Sequence, residues 1–130
     1  MAMDRALRPI VIAAGFSGVL AVAAGAFGAH GASSPEAKAW LETGGHYQLT
    51  HAAAAIGAAL LAQQGLAKGR VAAWLLLAGA AIFSATLYLM AFGAPHILGA
   101  ITPIGGVLML AGWAILALCP LLGRKAKPDA

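Results

Sequence analysis

Four apolar stretches constrain this chain more than any other feature: they run approximately over residues 9–29, 47–66, 71–92 and 101–118. Each is close to the roughly 20 residues that a helix needs to cross a bilayer. Hydrophobic residues make up 62% of the chain and charged ones only 9%. A water-facing domain of ordinary composition carries about 25% charged residues, so this chain lacks the polar coat of a soluble fold. The expected fold class is all-α: a polytopic membrane protein whose single domain, residues 1–130, is a four-transmembrane-helix bundle.

The few charges are distributed unevenly. Arg5 and Arg8 precede the first stretch, Lys68 and Arg70 separate the second from the third, and Arg124, Lys125 and Lys127 follow the fourth. With four spans, all three groups fall on one side, while the other side has Lys38 together with Glu36 and Glu42. Basic residues in short loops stay cytoplasmic, so both termini are expected inside. There is no aromatic-basic interleaving of the kind that binds nucleic acid, so the basic balance is a topology signal and no nucleic-acid partner is expected. The first stretch shares a basic start and triplets such as Ala24-Gly25-Ala26 with signal peptides. Its apolar run is long for a signal core, and it is read as a retained span. The single cysteine, Cys119, cannot form an internal disulfide and reads as apolar filler.

The loop after the first span carries a helix signal of its own, "SSPEAKAWLETGG". Ser34 suits an N-cap, Pro35 the first helical position, and Glu36 the positive helix end. Lys38 and Glu42 are spaced to pair at i,i+4. The pattern predicts a short helix at about residues 35–43, lying along the outer interface with Trp40 as an anchor and ended by Gly44 and Gly45. The second span is mostly alanine and is expected to be buried in the bundle. The third is richer in large residues and is expected to face lipid more. Small residues at Ala14, Gly18, Ala21, Gly25 and Gly28 share one face of the first span, suited to packing within the bundle or against a second copy. Thr102 and Pro103 fit the start of the fourth span, and Pro120 its end.

Polar residues inside the spans gather toward the outer side. His30 ends span 1; His46, Tyr47, Gln48 and His51 open span 2; Ser84, Thr86 and Tyr88 lie in the outer half of span 3; Thr102 begins span 4. Tyr47 and His51 share a helix face, as do Gln48 and His51. An unsatisfied polar group in hydrocarbon costs several kcal/mol, so these groups need partners or a ligand. In one reading they are glue, hydrogen-bonding across helices at about 0.6 kcal/mol per contact. In the other, His30, Tyr47, Gln48, His51, Tyr88 and Thr102 form a binding cluster for a metal, haem or quinone. His30 and His51 are the metal candidates in that reading, since imidazole suits several transition metals. His46 and His51 diverge by about 140° on one helix, and no cysteine or embedded carboxylate completes a ligand set. No Asp or Glu lies within a span to relay protons, which disfavours a coupled permease or channel. No nucleophile–base–carboxylate set is present either, so no enzyme activity is expected.

The strings "GAFGAHG", "YQLTHA", "FSATLYLMAFG" and "LGAITPIGGVLMLAGW" resemble the domain-of-unknown-function family 423. Its members are small four-span bacterial inner-membrane proteins with mitochondrial relatives in animals. The resemblance covers roughly residues 10–118 and is most specific over residues 99–106. It implies a retained first span, four helices, a place in the bacterial cytoplasmic membrane, and family matches at His30, Tyr47, Gln48, His51 and Thr102 to Gly106. The third span carries "SAT" where relatives often have a serine-glycine-serine run. The family brings no established activity and no known cofactor. The functional expectation is a non-enzymatic accessory or scaffold component, packing with itself or a larger membrane complex in the lipid bilayer.

Overall fold

The computed structural model describes residues 2–122, all of whose regular structure is helical. The basic group at Arg124, Lys125 and Lys127 lies outside the described residues. Helix α1 spans Arg8–His30, α2 Pro35–Gln63, α3 Gly69–Ala91 and α4 Thr102–Leu122, with a 3-10 turn at His96–Ala100 before α4. Three segments are long and apolar enough to cross a membrane: Arg8–His30, Gly69–Ala91 and His96–Leu121. At 29 residues α2 is also long enough, but most of its residues are alanine, glycine or polar.

The second helix corrects the expected break at Gly44-Gly45. Its start follows the sequence signal, with Ser34 Oγ accepting from the Ala37 N–H at 3.0 Å and Pro35 in the first turn. It then runs without interruption to Gln63, so residues 35–43 are the first turns of α2 rather than a separate interfacial helix. The glycines are needed for packing. A Cβ on Gly44 would lie 2.6 Å from Cε1 of Tyr88, and one on Gly45 would lie 2.9 Å from the Ala21 carbonyl oxygen. The left-handed conformation that does end helices occurs at Gly65 and Gly93, both with φ of 99°. After α2 the Gly65 N–H bonds to Ala62 O and the Leu66 N–H to Leu61 O. After α3 the Gly93 N–H bonds to Met90 O and the Ala94 N–H to Leu89 O. Both ends are Schellman motifs, which satisfy carbonyls that the helix leaves open.

Each long helix packs on its neighbour in sequence, α1 on α2, α2 on α3 and α3 on α4, with α1 touching α3 lightly. The main core joins Leu7, Ile10 and Ala14 of the N-terminal region to Ala52, Ala55, Ala58 and Ala59 of α2 and to Ala72, Ala73, Leu76 and Leu77 of α3. Alanine lets these backbones approach closely, which is how helices gain contact where lipid removes the hydrophobic drive. The expectation that α3 covers more lipid-facing surface than α2 is corrected: 12 of its 23 residues are buried, against 10 of 29 in α2, because α3 is covered by α2 on one flank and α4 on another. The α3–α4 contact is backbone on backbone: a Cβ on Gly79 would lie 2.7 Å from Gly105 O, and one on Gly105 would strike Gly79 O. The small-residue face of α1 divides. Ala14, Ala21 and Gly28 are buried, whereas Gly18 and Gly25 have nothing within 4 Å of where a Cβ would stand. Pro120 lies inside α4, which continues to Leu122.

Candidate functional site

The polar residues form three separate ties between helices. The first joins α2 to α3: Ser84 donates its hydroxyl to the Gly44 carbonyl at 2.7 Å, and Tyr88 donates to Gln48 Oε1 at 2.8 Å. Gly44 is bare where the Tyr88 ring crosses it, so the glycine both offers its carbonyl and makes room for the ring. The second joins α3 to α4. The Thr86 and Thr102 hydroxyls are 2.7 Å apart, and Thr86 also lies 2.9 Å from its own-helix carbonyl at Phe83. Both oxygens are served if Thr86 donates to Phe83 O and accepts from Thr102.

The third tie joins α2 to α4 through His51. Its Nδ1 is 2.7 Å from the Tyr47 carbonyl, and the Trp113 indole N–H donates to its Nε2 at 3.0 Å. A carbonyl only accepts and an indole N–H only donates. His51 is therefore the neutral tautomer with its proton on Nδ1, and both ring nitrogens are occupied. The Tyr47 ring stacks on His51 at 5.9 Å with an interplanar angle of 8°, and meets Phe83 at 4.6 Å. Tyr47, His51, Phe83 and Trp113 line an open groove of about 470 Å³ between α2 and α4.

His30 does not join this arrangement. Gly28 lies against Leu41 and Glu42, and Gly45 against Ala21 and Gly25, which places the exposed His30 level with about residue 40 of α2. His51 is about eleven residues further along, roughly 16 Å at 1.5 Å per residue. The pairing of His30 with His51 as metal ligands is thereby corrected: antiparallel register separates them. Among the described residues no group of three His, Cys, Asp or Glu side chains converges. Gln48 and Tyr88 bond to each other and Thr102 to Thr86, so the other five members of the expected cluster are divided among the ties and His30 belongs to none. Gly44 faces Tyr88 and Ala58 faces Gly69, which puts His51 near the mid-height of α3.

Sequence reasoning missed Trp113. The available signal was an indole about midway along an apolar helix, because a tryptophan N–H held away from water usually finds an acceptor. His46 and His96 stay exposed; His96 meets the edge of Trp40 at 5.2 Å. Among the described residues the ion pair is Lys38 to Glu42 at 3.9 Å, both half-exposed. Every buried side-chain nitrogen or oxygen among them has a hydrogen-bond partner.

Comparison with known proteins agrees with a helical membrane protein. A "UPF0382 membrane protein" of Haemophilus influenzae is 45% identical over 106 residues, covering 78% of this chain and 84% of that protein. "UPF0382 inner membrane protein YgdD" of Escherichia coli is 36% identical, with 84% and 86% covered. "UPF0382 membrane protein YwdK" of Bacillus subtilis is 35% identical, with 86% and 95% covered. No solved structure matches the chain. The family model described as "Protein of unknown function (DUF423)" matches residues 24–106, a stretch that includes His30, His51 and Thr102. With that match and relatives along most of its length, the chain is a membrane protein that belongs to the DUF423 family.

Proposed function

We propose that this chain is a non-enzymatic, four-span component of the bacterial cytoplasmic membrane, with both termini cytoplasmic, which packs with copies of itself or with a larger membrane complex. The observation that carries this reading is the use already made of the polar groups. Ser84, Tyr88, Gln48, Thr86, Thr102, His51 and Trp113 spend their hydrogen bonds joining helices of the same chain. A set of groups so engaged holds a bundle together and leaves no reactive pair poised toward a substrate.

Passage of α2 through the membrane is supported by its neighbours. It lies antiparallel between α1 and α3 and is tied to them by loops of a few residues, so if those two cross in the same direction, α2 returns between them. Gln48 bonds to α3 and His51 to α4, while Ala52, Ala55, Ala58 and Ala59 face the core. The orientation is supported by Arg5, Arg8, Lys68 and Arg70, all exposed at one end of the bundle. Packing with a further chain is supported by the bare α1 surface at Gly15 and Gly18, beside the exposed Phe16, Val19 and Leu20.

Purification in mild detergent tests the reading. A colourless, metal-free protein that keeps a reproducible partner or a defined oligomer is the expected result. A stoichiometric chromophore or metal lost in His51→Ala would sink it. Orientation is read by single-cysteine labelling in a Cys119→Ser background: Lys68→Cys is expected to react from the cytoplasm and Ser33→Cys from outside. The groove beside Tyr47, His51 and Trp113 favours a second reading, a small aromatic ligand such as a quinone ring, because its walls are aromatic. A metal or haem there would have to displace the Trp113 N–H or the Tyr47 carbonyl from His51.

A further inference from the structure

The end of the bundle that carries the basic residues also carries a groove unlike the others. It has a volume of about 410 Å³ and lies between the α2–α3 loop and the last turns of α4. Leu66, Ala67, Ile115, Leu118 and Cys119 make apolar walls, and Lys68 stands at the groove as the exposed N-cap residue of α3. The first turn of α3 contributes no carboxylate, and among the described residues no acidic side chain pairs with Lys68. A second groove at the same end, lined by Leu7, Ile56 and Gln63, has no cation. The groove at the opposite end holds Glu36, and the one beside Trp113 has no charge.

We propose that the groove between the α2–α3 loop and α4 is a binding site for one anionic phospholipid, its acyl chain along Leu66, Ile115 and Leu118 and its headgroup phosphate against Lys68. The apolar walls and the cation match the two halves of such a molecule, and a zwitterionic lipid offers the same chain with a weaker net attraction. A basic residue near an anionic headgroup surface contributes about 1 kcal/mol, which corresponds to about five-fold in retention. The site does not depend on the scaffold reading, nor on which way the chain is inserted.

The test is native mass spectrometry of the intact chain in detergent, with phosphatidylglycerol, phosphatidylethanolamine or phosphatidylcholine added in turn. The expected result is one phosphatidylglycerol retained about five-fold over the other two, as one basic contact predicts. Lys68→Gln should abolish that preference, Lys68→Arg should keep it, and Lys38→Gln, at the far end, should leave it intact. Raised salt should reduce the preference in the unaltered chain, which needs no variant to fold. Ala67→Phe, which fills the groove, should lower retention of all three lipids. Equal retention of anionic and zwitterionic lipid, or a preference that survives Lys68→Gln, would overturn the site. So would unchanged retention in Ala67→Phe, or a lipid-free dimer in which a second copy covers the groove.

Discussion

The α2–α3 interface is two different interfaces end to end. At the end near Tyr88 it is stitched by side chains, Ser84 to the Gly44 carbonyl and Tyr88 to Gln48. At the end near Gly69 it has no such stitch; Ala55, Ala58 and Ala59 lie on Ala72, Ala73 and Leu76, all nearly inaccessible. The alanine half is held by closeness alone, and closeness tolerates no added atom. The stitched half makes room for a tyrosine ring and is held by bonds that can be removed one at a time. Overpacking should therefore break the alanine half, and loss of polar groups should trim the stitched half.

The largest effect is expected at the alanine half. A Cβ on Gly69 would lie 2.6 Å from the Ala58 carbonyl and 3.0 Å from the Ala62 nitrogen, both backbone atoms with no freedom to yield. Gly69→Val should destabilise the bundle by about 1–3 kcal/mol, the usual cost of overpacking a tight core. Unfolding by graded denaturing detergent measures it. Gly57→Val, on the facing helix α2, is the control, since Gly57 has nothing within 4 Å; it should shift stability by less than about 0.5 kcal/mol. Equal losses in the two variants would remove the claim that the alanine half is held by close approach.

Next in size is Ser84→Ala at the stitched half. The hydroxyl is 1% exposed and its acceptor is a main-chain carbonyl of another helix. Removal should cost between the membrane average of about 0.6 kcal/mol and the upper value of about 1.7 kcal/mol. The figure belongs near the top of that range, because Gly44 O loses a cross-helix donor in a dry place. Ser84→Cys, similar in size with a weaker donor, should fall between the two. A loss as large as that of Gly69→Val would mean that the stitched half, not the alanine half, holds the pair together.

Much of this contrast can be read in the sequence, and the part that cannot has a physical cause. Apolar length gives the helices, and the alanine run in α2 announces close packing. Ser34-Pro35-Glu36 marks the start of α2 because capping is local. Gly44-Gly45 misleads because a glycine that ends a helix and a glycine that admits a neighbour look alike; the difference is the Tyr88 ring and the Ala21 carbonyl, supplied from residues far away in the chain. The candidate site was legible as a list of polar residues but not as a wiring diagram. Which hydroxyl meets which carbonyl depends on helix register, set by Gly28 against Leu41 and Gly79 against Gly105. His30 looked like a neighbour of His51 because one ends a span and the other lies near the start of the next, and register puts them on different levels.

Tyr88→Phe sharpens the stitched half further. It removes the hydroxyl that donates to Gln48 and leaves the ring that covers Gly44, so packing and hydrogen bonding are separated in one step. The expected loss is about 0.6 kcal/mol, the average for such contacts in membranes. Tyr88→Ala should cost more, because the ring also fills the space that Gly44 leaves. If Phe and Ala cost the same, the ring contributes nothing and Gly44 is bare for another reason.

The smallest effect is expected beyond the seam, on the turns of α2 that precede Gly44. Lys38 and Glu42 pair at 3.9 Å with both side chains half-exposed, so solvent screens them. Glu42→Gln keeps the size of the side chain and removes its charge, which should cost no more than about 0.5 kcal/mol and should vanish in high salt. These turns lie level with the end of α1, where Gly28 faces Leu41, and are held by that apolar contact. Hydrogen exchange on residues 35–43 checks the point. Protection that survives Glu42→Gln but falls in Leu41→Ala is the expected pattern, and it would show that the extension of α2 belongs to the packed bundle. The reverse pattern would mean that the ion pair, rather than packing on α1, holds those turns in line with the rest of the helix.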